Sequence, residues 1–296
     1  MKPIIETENL TRFYGENRGI EALNLKIEVG EIFGFLGPNG AGKTTTIRLI
    51  LNLIRPTSGR ALLFGRDIRK SYYENFKRIG VVPGELSLYE EQSGIDFLNY
   101  MNRFSGRPAI MQDELCEAFK LPADVLQNKI RYYSNGMKQK LAIVQAMQEK
   151  PELLIFDEPT EGLDPLIRNV LYSYLLQLKN EGCTIFFSSH NLAEVEKICD
   201  RAGLVKEGKL IFNDTLGSLK AKLVRRMYLV MEKDINVSDF KFEGIEVLYH
   251  QENKIELLVR CDINVLIKKL ADFRVMSMTF PEPSLEDAFL SFYKGD

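Results

Sequence analysis

Gly37-Pro38-Asn39-Gly40-Ala41-Gly42-Lys43-Thr44 decides the reading of this chain. Immediately before it runs Ile32-Phe33-Gly34-Phe35-Leu36, a short apolar stretch of buried-strand type. Immediately after it, Ile47, Ile50, Leu51 and Ile54 recur at helical spacing until Pro56 ends the pattern. A glycine-rich turn between a buried strand and a helix brings several backbone N–H groups to one point. The helix N-terminus adds a positive partial charge there. The spacing G-x-x-x-x-G-K-[ST] is that of a phosphate-binding loop. Lys43 is placed to reach the outer phosphates of a nucleoside triphosphate, and the Thr44 hydroxyl to ligate Mg²⁺. The candidate nucleotide contacts are Gly37, Pro38, Asn39, Gly40, Ala41, Gly42, Lys43, Thr44 and Thr45.

Outward from this loop, short apolar runs alternate with helical periodicity, the pattern of a sheet with helices packed on it. Leu153-Leu154-Ile155-Phe156 and Thr184-Ile185-Phe186-Phe187 read as further buried strands, with a helix marked by Ile167, Leu171, Tyr174 and Leu178 between them. From about Leu88 to Lys150 the chain has helical patterns and no convincing strand, so a helical subdomain is expected within the sheet sequence. Lys206-Glu207-Gly208-Lys209 reads as a hairpin turn. The fold expected is an α/β P-loop core over residues 1–218, with its helical subdomain at about 88–150. A small α+β domain over 219–296 follows, with strands near Met227–Met231, Ile245–Tyr249, Ile255–Val259 and Val275–Phe280. Its last helix is expected to open at Ser284, with Asp287 as the capping partner.

The composition narrows the classes of function. A formal net charge of −2 supplies no electrostatic reason to expect a nucleic-acid partner. Cys116, Cys183, Cys199 and Cys261 have neither metal-ligand spacing nor disulfide density, as expected of reduced thiols. No apolar h-region follows Met1, and no apolar run is long enough to span a bilayer. A role at a membrane would therefore be played from one side of it.

Further segments follow the loop in order. Tyr133-Ser134-Asn135-Gly136-Met137 opens a helix with Met137, Leu141 and Val144 along one face. Leu153-Leu154-Ile155-Phe156-Asp157-Glu158 is an apolar strand ending in two carboxylates, followed by Pro159-Thr160. Glu161-Gly162-Leu163-Asp164 comes next, and His190 stands at the end of the Thr184–Ser188 run, 33 residues after Asp157. Tyr14 lies upstream in Arg12-Phe13-Tyr14-Gly15. In this order the segments resemble the ABC ATPases, over residues 1 to about 215. The pentapeptide stands in place of the family's LSGGQ signature, matching it strictly only at Ser134 and Gly136.

The resemblance implies the remaining roles. Asp157 would hold Mg²⁺ through its waters, and Glu158 would act as general base on the attacking water. His190 would be the switch histidine at the γ-phosphate, Asp164 part of the loop joining two sites, and Tyr14 the ring that stacks on adenine. Ser134 and Gly136 would meet the ATP held by a second copy, giving an ATP-closed head-to-tail homodimer. Pro283-Ser284-Leu285-Glu286-Asp287-Ala288-Phe289-Leu290 resembles the ending of bacterial drug-, bacteriocin- and ion-export ATPases. Those pair with a separately encoded permease. The chain would then work at the cytoplasmic face of the cell membrane, using ATP and Mg²⁺. Its sequence names no cargo.

One position departs from the family. After Ile79-Gly80-Val81-Val82-Pro83 the family has a glutamine whose amide reaches Mg²⁺ and water; here stand Gly84 and then Glu85. Either Glu85 or a water takes the amide's place, or coupling is weakened. The rival readings are a soluble ABC protein acting on ribosomes or DNA, and a module that binds ATP without turning it over. A single cassette and the short interval from Thr44 to Ser134 count against the first, and Glu158 counts against the second. The absence of an N-K-x-D motif disfavours a GTPase.

Overall fold

A computed structural model describes residues 3–70, 72–221, 225–240, 243–260 and 263–281. The chain divides into two compact units, Met1–Leu216 and Gly217–Asp296. The first is organised by a six-stranded sheet in the order Lys209–Thr215, Arg201–Lys206, Ile32–Leu36, Thr184–Ser189, Leu153–Asp157, Ile79–Val82. Its five inner and far strands run parallel, and only the Lys209–Thr215 edge is antiparallel.

The apolar runs read from the sequence are continuous because the sheet is covered on both faces. Alternate residues of each strand enter different cores. Phe33, Phe35, Leu153, Ile155 and Phe186 pack on the side of the helix Lys43–Ile50 and of an antiparallel sheet. Ile32, Leu154, Phe156, Ile185 and Phe187 pack on the side of the helices Asn135–Met147 and Pro165–Asn180. That antiparallel sheet has the order Asn17–Ile27, Ile5–Tyr14, Ser58–Leu63, Arg66–Asp67.

Between Val82 and Leu153 the chain forms helices joined by loops and no strand, with one isolated bridge, Ser93 to Lys129. The helix Gly94–Ser105 starts at Ser93, whose hydroxyl accepts from Asp96 N, and stops at Gly106, where φ is 68°. Lys206–Lys209 is a two-residue hairpin with positive φ at both Glu207 and Gly208, the turn that matches the twist of its strands.

The second unit has an antiparallel sheet in the order Ile245–Gln251, Lys254–Val259, Arg225–Met231, Val275–Thr279. Met227, Leu229, Phe240, Leu257 and Leu266 form its core, the last of them from the helix Ile263–Leu270. The segment Pro283–Leu290 and the helix expected from Ser284 lie outside the described residues.

Gly80 shows how tightly the edge strand meets the helix Asn135–Met147. A Cβ at this position would lie 2.0 Å from the Ala146 carbonyl oxygen and 2.8 Å from Leu154 Cδ2. The Ala146 carbonyl is helix backbone and cannot swing aside, so the strand and the helix must part. Gly80→Ala is expected to cost about 2 kcal/mol, as overpacking a filled core does. In a domain of this size that lowers the melting temperature by roughly 4–8 °C, read by differential scanning calorimetry. A shift below about 1 °C would show that the interface yields freely.

Candidate active site

The loop Gly37–Gly42 joins the strand Ile32–Leu36 to the helix Lys43–Ile50. Two of its glycines are structurally required. A Cβ at Gly37 would lie 2.4 Å from the Val205 carbonyl oxygen. Gly42 has φ 109°, and its Cβ would lie 2.7 Å from the Gly19 carbonyl oxygen. The loop is held from outside by the hairpin, where Gly208 N donates to Ala41 O at 2.9 Å. No side chain caps the helix and no acidic residue stands in its first turn, so its leading N–H groups face outward for an anion.

Two remote segments, at the ends of the strands Leu153–Asp157 and Thr184–Ser189, meet the end of this loop. Lys43 is 6% exposed; its Nζ donates to Gly37 O at 2.6 Å and pairs with Glu158 Oε1 at 3.1 Å. The other oxygen of Glu158 lies 2.8 Å from His190 Nδ1 and accepts from His190 N at 3.3 Å. Asp157 is 2% exposed and is held by hydroxyls on both sides: Thr44 Oγ1 donates at 2.8 Å and Ser188 Oγ at 2.6 Å. Glu158 itself has φ 51°, a costly conformation for a residue with a side chain. Its N–H donates to Ser188 Oγ at 3.1 Å, which helps to hold that geometry. Ser188 was not among the residues singled out from the sequence. The only signal for it was a hydroxyl at the end of a buried strand just before His190.

The Thr44 and Asp157 oxygens form a small, hard donor set. Mg²⁺ is typically bound by one or two protein oxygens and completed by phosphate and water, so these residues fit it. Among the described residues no group of three or more His, Cys, Asp or Glu could hold a metal by itself.

Tyr14 ends the strand Ile5–Tyr14 and is 42% exposed. Its ring stands beside the loop's helix: a Cβ added at Gly19 would meet both Tyr14 Cε2, at 2.9 Å, and Thr45 Cγ2, at 3.1 Å. The Arg12 guanidinium lies over the same ring, 4.8 Å from its centroid.

Ser134, Gly136 and Asp164 belong to a separate cluster. Ser134 caps the helix Asn135–Met147 by accepting from Met137 N at 3.2 Å, and it is exposed. A Cβ on Gly136 would lie 2.9 Å from the Gly162 carbonyl oxygen, so this glycine lets the two segments touch. Asp164 caps the helix Pro165–Asn180, accepting from Leu166 N and Ile167 N at 3.0 Å. Those N–H groups, Ile167's first, hold its carboxyl below the usual range. Among the described residues no hydrogen bond or ion pair joins the Ser134 or Asp164 side chain to Lys43, Glu158 or His190. Gln139, which the sequence reading did not weigh, ties the clusters: its buried Nε2 donates to Pro159 O at 2.9 Å.

Gly84 lies against Asp157. Its Cβ would be 3.1 Å from Asp157 Oδ2, and its φ is not positive. Glu85 does not take the place of the family's glutamine: its carboxylate is 91% exposed and faces Arg48 Nη2 at 3.8 Å. Its backbone, one residue further along the exposed loop, carries it outward.

With the geometry in place, comparisons with known proteins agree on one family. Residues 20–161 match the family model described as "ABC transporter". The chain is 36% identical to the bacitracin transport ATP-binding protein BcrA of Bacillus licheniformis, over 100% of this chain and 99% of that protein. It is 31% identical to the linearmycin resistance ATP-binding protein LnrL of Bacillus subtilis, over 97% of each. Among solved structures, an ATP-binding subunit of an ABC transporter superposes with a TM-score of 0.69 at 29% identity, covering 74% of this chain and 92% of that one. A dimeric bacterial ABC transporter cassette superposes with a TM-score of 0.66 at 24% identity, covering 72% and 98%, and shares the fold.

Gly84 gives this site its own test. Asp157 is anchored by two hydroxyls, whereas the loop at Gly84 is exposed, so the loop yields to a small side chain. Gly84→Ala is therefore expected to change turnover by less than about twofold. Gly84→Gln adds an amide beside Asp157, and one hydrogen bond to a charged group, half of it specific to the transition state, raises turnover roughly three- to tenfold. Steady-state hydrolysis by the two variants checks this. Equal rates for both would show that the missing amide does not limit the enzyme.

Proposed function

The chain belongs to the ABC transporter family of ATP-binding subunits, and from that premise we propose that Lys43, Asp157, Glu158 and His190 form its hydrolytic centre. It is the ATP-hydrolysing subunit that powers transport through a separate permease. The observation that carries the assignment of residues is the pair of contacts on Glu158. One oxygen meets Lys43 at 3.1 Å and the other His190 at 2.8 Å, although the three residues come from different parts of the sequence.

The loop's N–H groups and the Lys43 ammonium bind the phosphates, while Tyr14 presents its ring to the adenine. Phosphate oxygens draw Lys43 from the Gly37 carbonyl and from Glu158. The freed carboxylate then accepts the proton of the attacking water, and His190 orients it. Magnesium, held by Thr44 and Asp157, would supply charge neutralisation at the phosphates. Because Glu158 is already fixed in its unusual backbone conformation, no reorganisation of the base is needed at the moment of reaction.

Ser134 and Gly136 stand at an exposed helix N-terminus, available to the ATP of a second copy. We take the working unit to be a head-to-tail homodimer closed by two ATP molecules. The permease docks beside the Gly84 loop, where an apolar groove of about 580 Å³ is lined by Leu53, Phe76, Leu86, Tyr89, Met101 and Phe104. The loop Pro83–Tyr89 contributes both to this groove and, through Gly84, to the surroundings of Asp157, so docking and hydrolysis share a segment. Among the described residues no helix is long and apolar enough to cross a membrane. The relatives are ATP-binding subunits of transporters, and on that ground we take the subunit to work at the cytoplasmic face of the membrane, bound through its permease. The relatives' names speak of bacitracin transport and linearmycin resistance, and export is the direction proposed here.

Glu158→Gln keeps the shape of the base and removes its basicity. Hydrolysis is expected to fall on the order of 10²–10⁴-fold with ATP binding intact. The same variant should accumulate an ATP-dependent dimer on size-exclusion chromatography. Lys43→Ala should instead lose affinity for a fluorescent ATP analogue, and with it the dimer. Turnover by Glu158→Gln within about threefold of the parent would remove Glu158 as base.

A further inference from the structure

Glu194 is a buried carboxylate with no part in the chemistry described so far. It sits in the first turn of the helix Leu192–Ile198 and is 6% exposed. Burying an ionised carboxylate is costly unless hydrogen bonds and opposite charge satisfy it. Here its Oε2 accepts from Thr160 Oγ1 at 3.0 Å and from Ser189 Oγ at 2.8 Å. Its Oε1 faces Arg168 Nη1 at 3.9 Å. Burial first, and then the nearby Glu194 charge, push the Tyr172 phenol well up.

The origin of these partners is what gives the carboxylate meaning. Thr160 stands two residues after Glu158, and Ser189 immediately before His190. Both hydroxyls are buried and both end on the same oxygen. The segment carrying the base and the segment carrying its histidine partner are thereby tied to a single atom. Arg168, on the far side, also donates through Nε to Leu163 O at 2.9 Å, in the loop that continues from Thr160 to Asp164. If packing alone were at stake, an apolar side chain would fill the space without a desolvation cost.

We infer that Glu194 is a positioning residue that fixes Glu158 and His190 relative to one another by clamping Thr160 and Ser189 together. This rests on the assignment of Glu158 and His190 to the hydrolytic centre. ATP binding lies with the loop Gly37–Gly42 and Lys43, which the clamp does not touch. Loss of the clamp therefore acts on the chemical step and not on affinity.

The test is a cycle of substitutions in the full-length protein, with steady-state ATP hydrolysis and melting temperature measured for each. Thr160→Val and Ser189→Ala each delete one hydroxyl with little change of volume, and Glu194→Gln removes the charge. Each is expected to lower kcat about five- to twentyfold, with KM for ATP unchanged within about twofold. Because either deletion alone releases the clamp, Thr160→Val and Ser189→Ala combined should cost less than threefold beyond the worse single variant. A structural role without positioning would move melting temperature but leave kcat intact well below the transition. That result, or losses that simply multiply, would overturn the inference. Should Glu194→Gln fail to fold, the two hydroxyl deletions decide the matter alone. Glu158→Gln is measured alongside. If it too retains activity, the assignment of the hydrolytic centre has failed; if it alone is inactive, only the clamp has.

Discussion

The carboxylate of Asp157 is gripped between two hydroxyls, Thr44 on one side and Ser188 on the other, at the end of a strand with almost no access to water. These contacts join the helix Lys43–Ile50, the Leu153–Asp157 strand and the neighbouring Thr184–Ser189 strand at one point. The parallel register of the sheet brings them there. Asp157 pairs with Ser188, and Leu36, the last residue before the loop, pairs with Ser189. Strands that end level with one another present their terminal residues together, which is why ligand sites of open parallel sheets lie beyond the carboxyl ends.

Beyond Asp157 the site is charged, and its charges are balanced internally. Lys43 leans on the Gly37 carbonyl and on Glu158, and Glu158 in turn meets His190. A buried ammonium without a ligand needs such partners. On the proposed assignment, a phosphate offers Lys43 a stronger partner than a backbone carbonyl, so nucleotide binding and release of Glu158 would be one exchange of contacts. The unfavourable φ of Glu158 is held by the Ser188 hydroxyl and carbonyl, so strain at the base is supported by the same serine that grips Asp157.

The second cluster, around Ser134 and Asp164, is built on different physics. Its elements are helix N-termini closed by their own caps, and its members touch through glycine. At the exposed end of the Asn135–Met147 helix the cap is Ser134, which accepts from Met137 N. Gln139, on that helix, reaches the carbonyl of Pro159 beside Glu158, so a buried hydrogen bond joins the two clusters.

The sequence by itself determined the phosphate loop, the strand ending in Asp157 and Glu158, the helical stretch before it and the Lys206–Lys209 turn. Each of these is encoded locally, by glycine conformation, apolar period or turn chemistry, and needs no distant residue to be read. Family resemblance extended this to His190 and Ser134, whose own surroundings in the sequence are unremarkable. Only the tertiary structure decided what lies between these landmarks. Ser188, Gln139 and Glu194 are ordinary polar residues in sequence; their importance comes from partners tens of residues away and from burial, which removes water as the alternative partner. The same holds for Gly84 and Glu85. Adjacent in sequence, one lies against Asp157 and the other faces Arg48, because the direction of an exposed loop is set by what it packs against and not by its own residues.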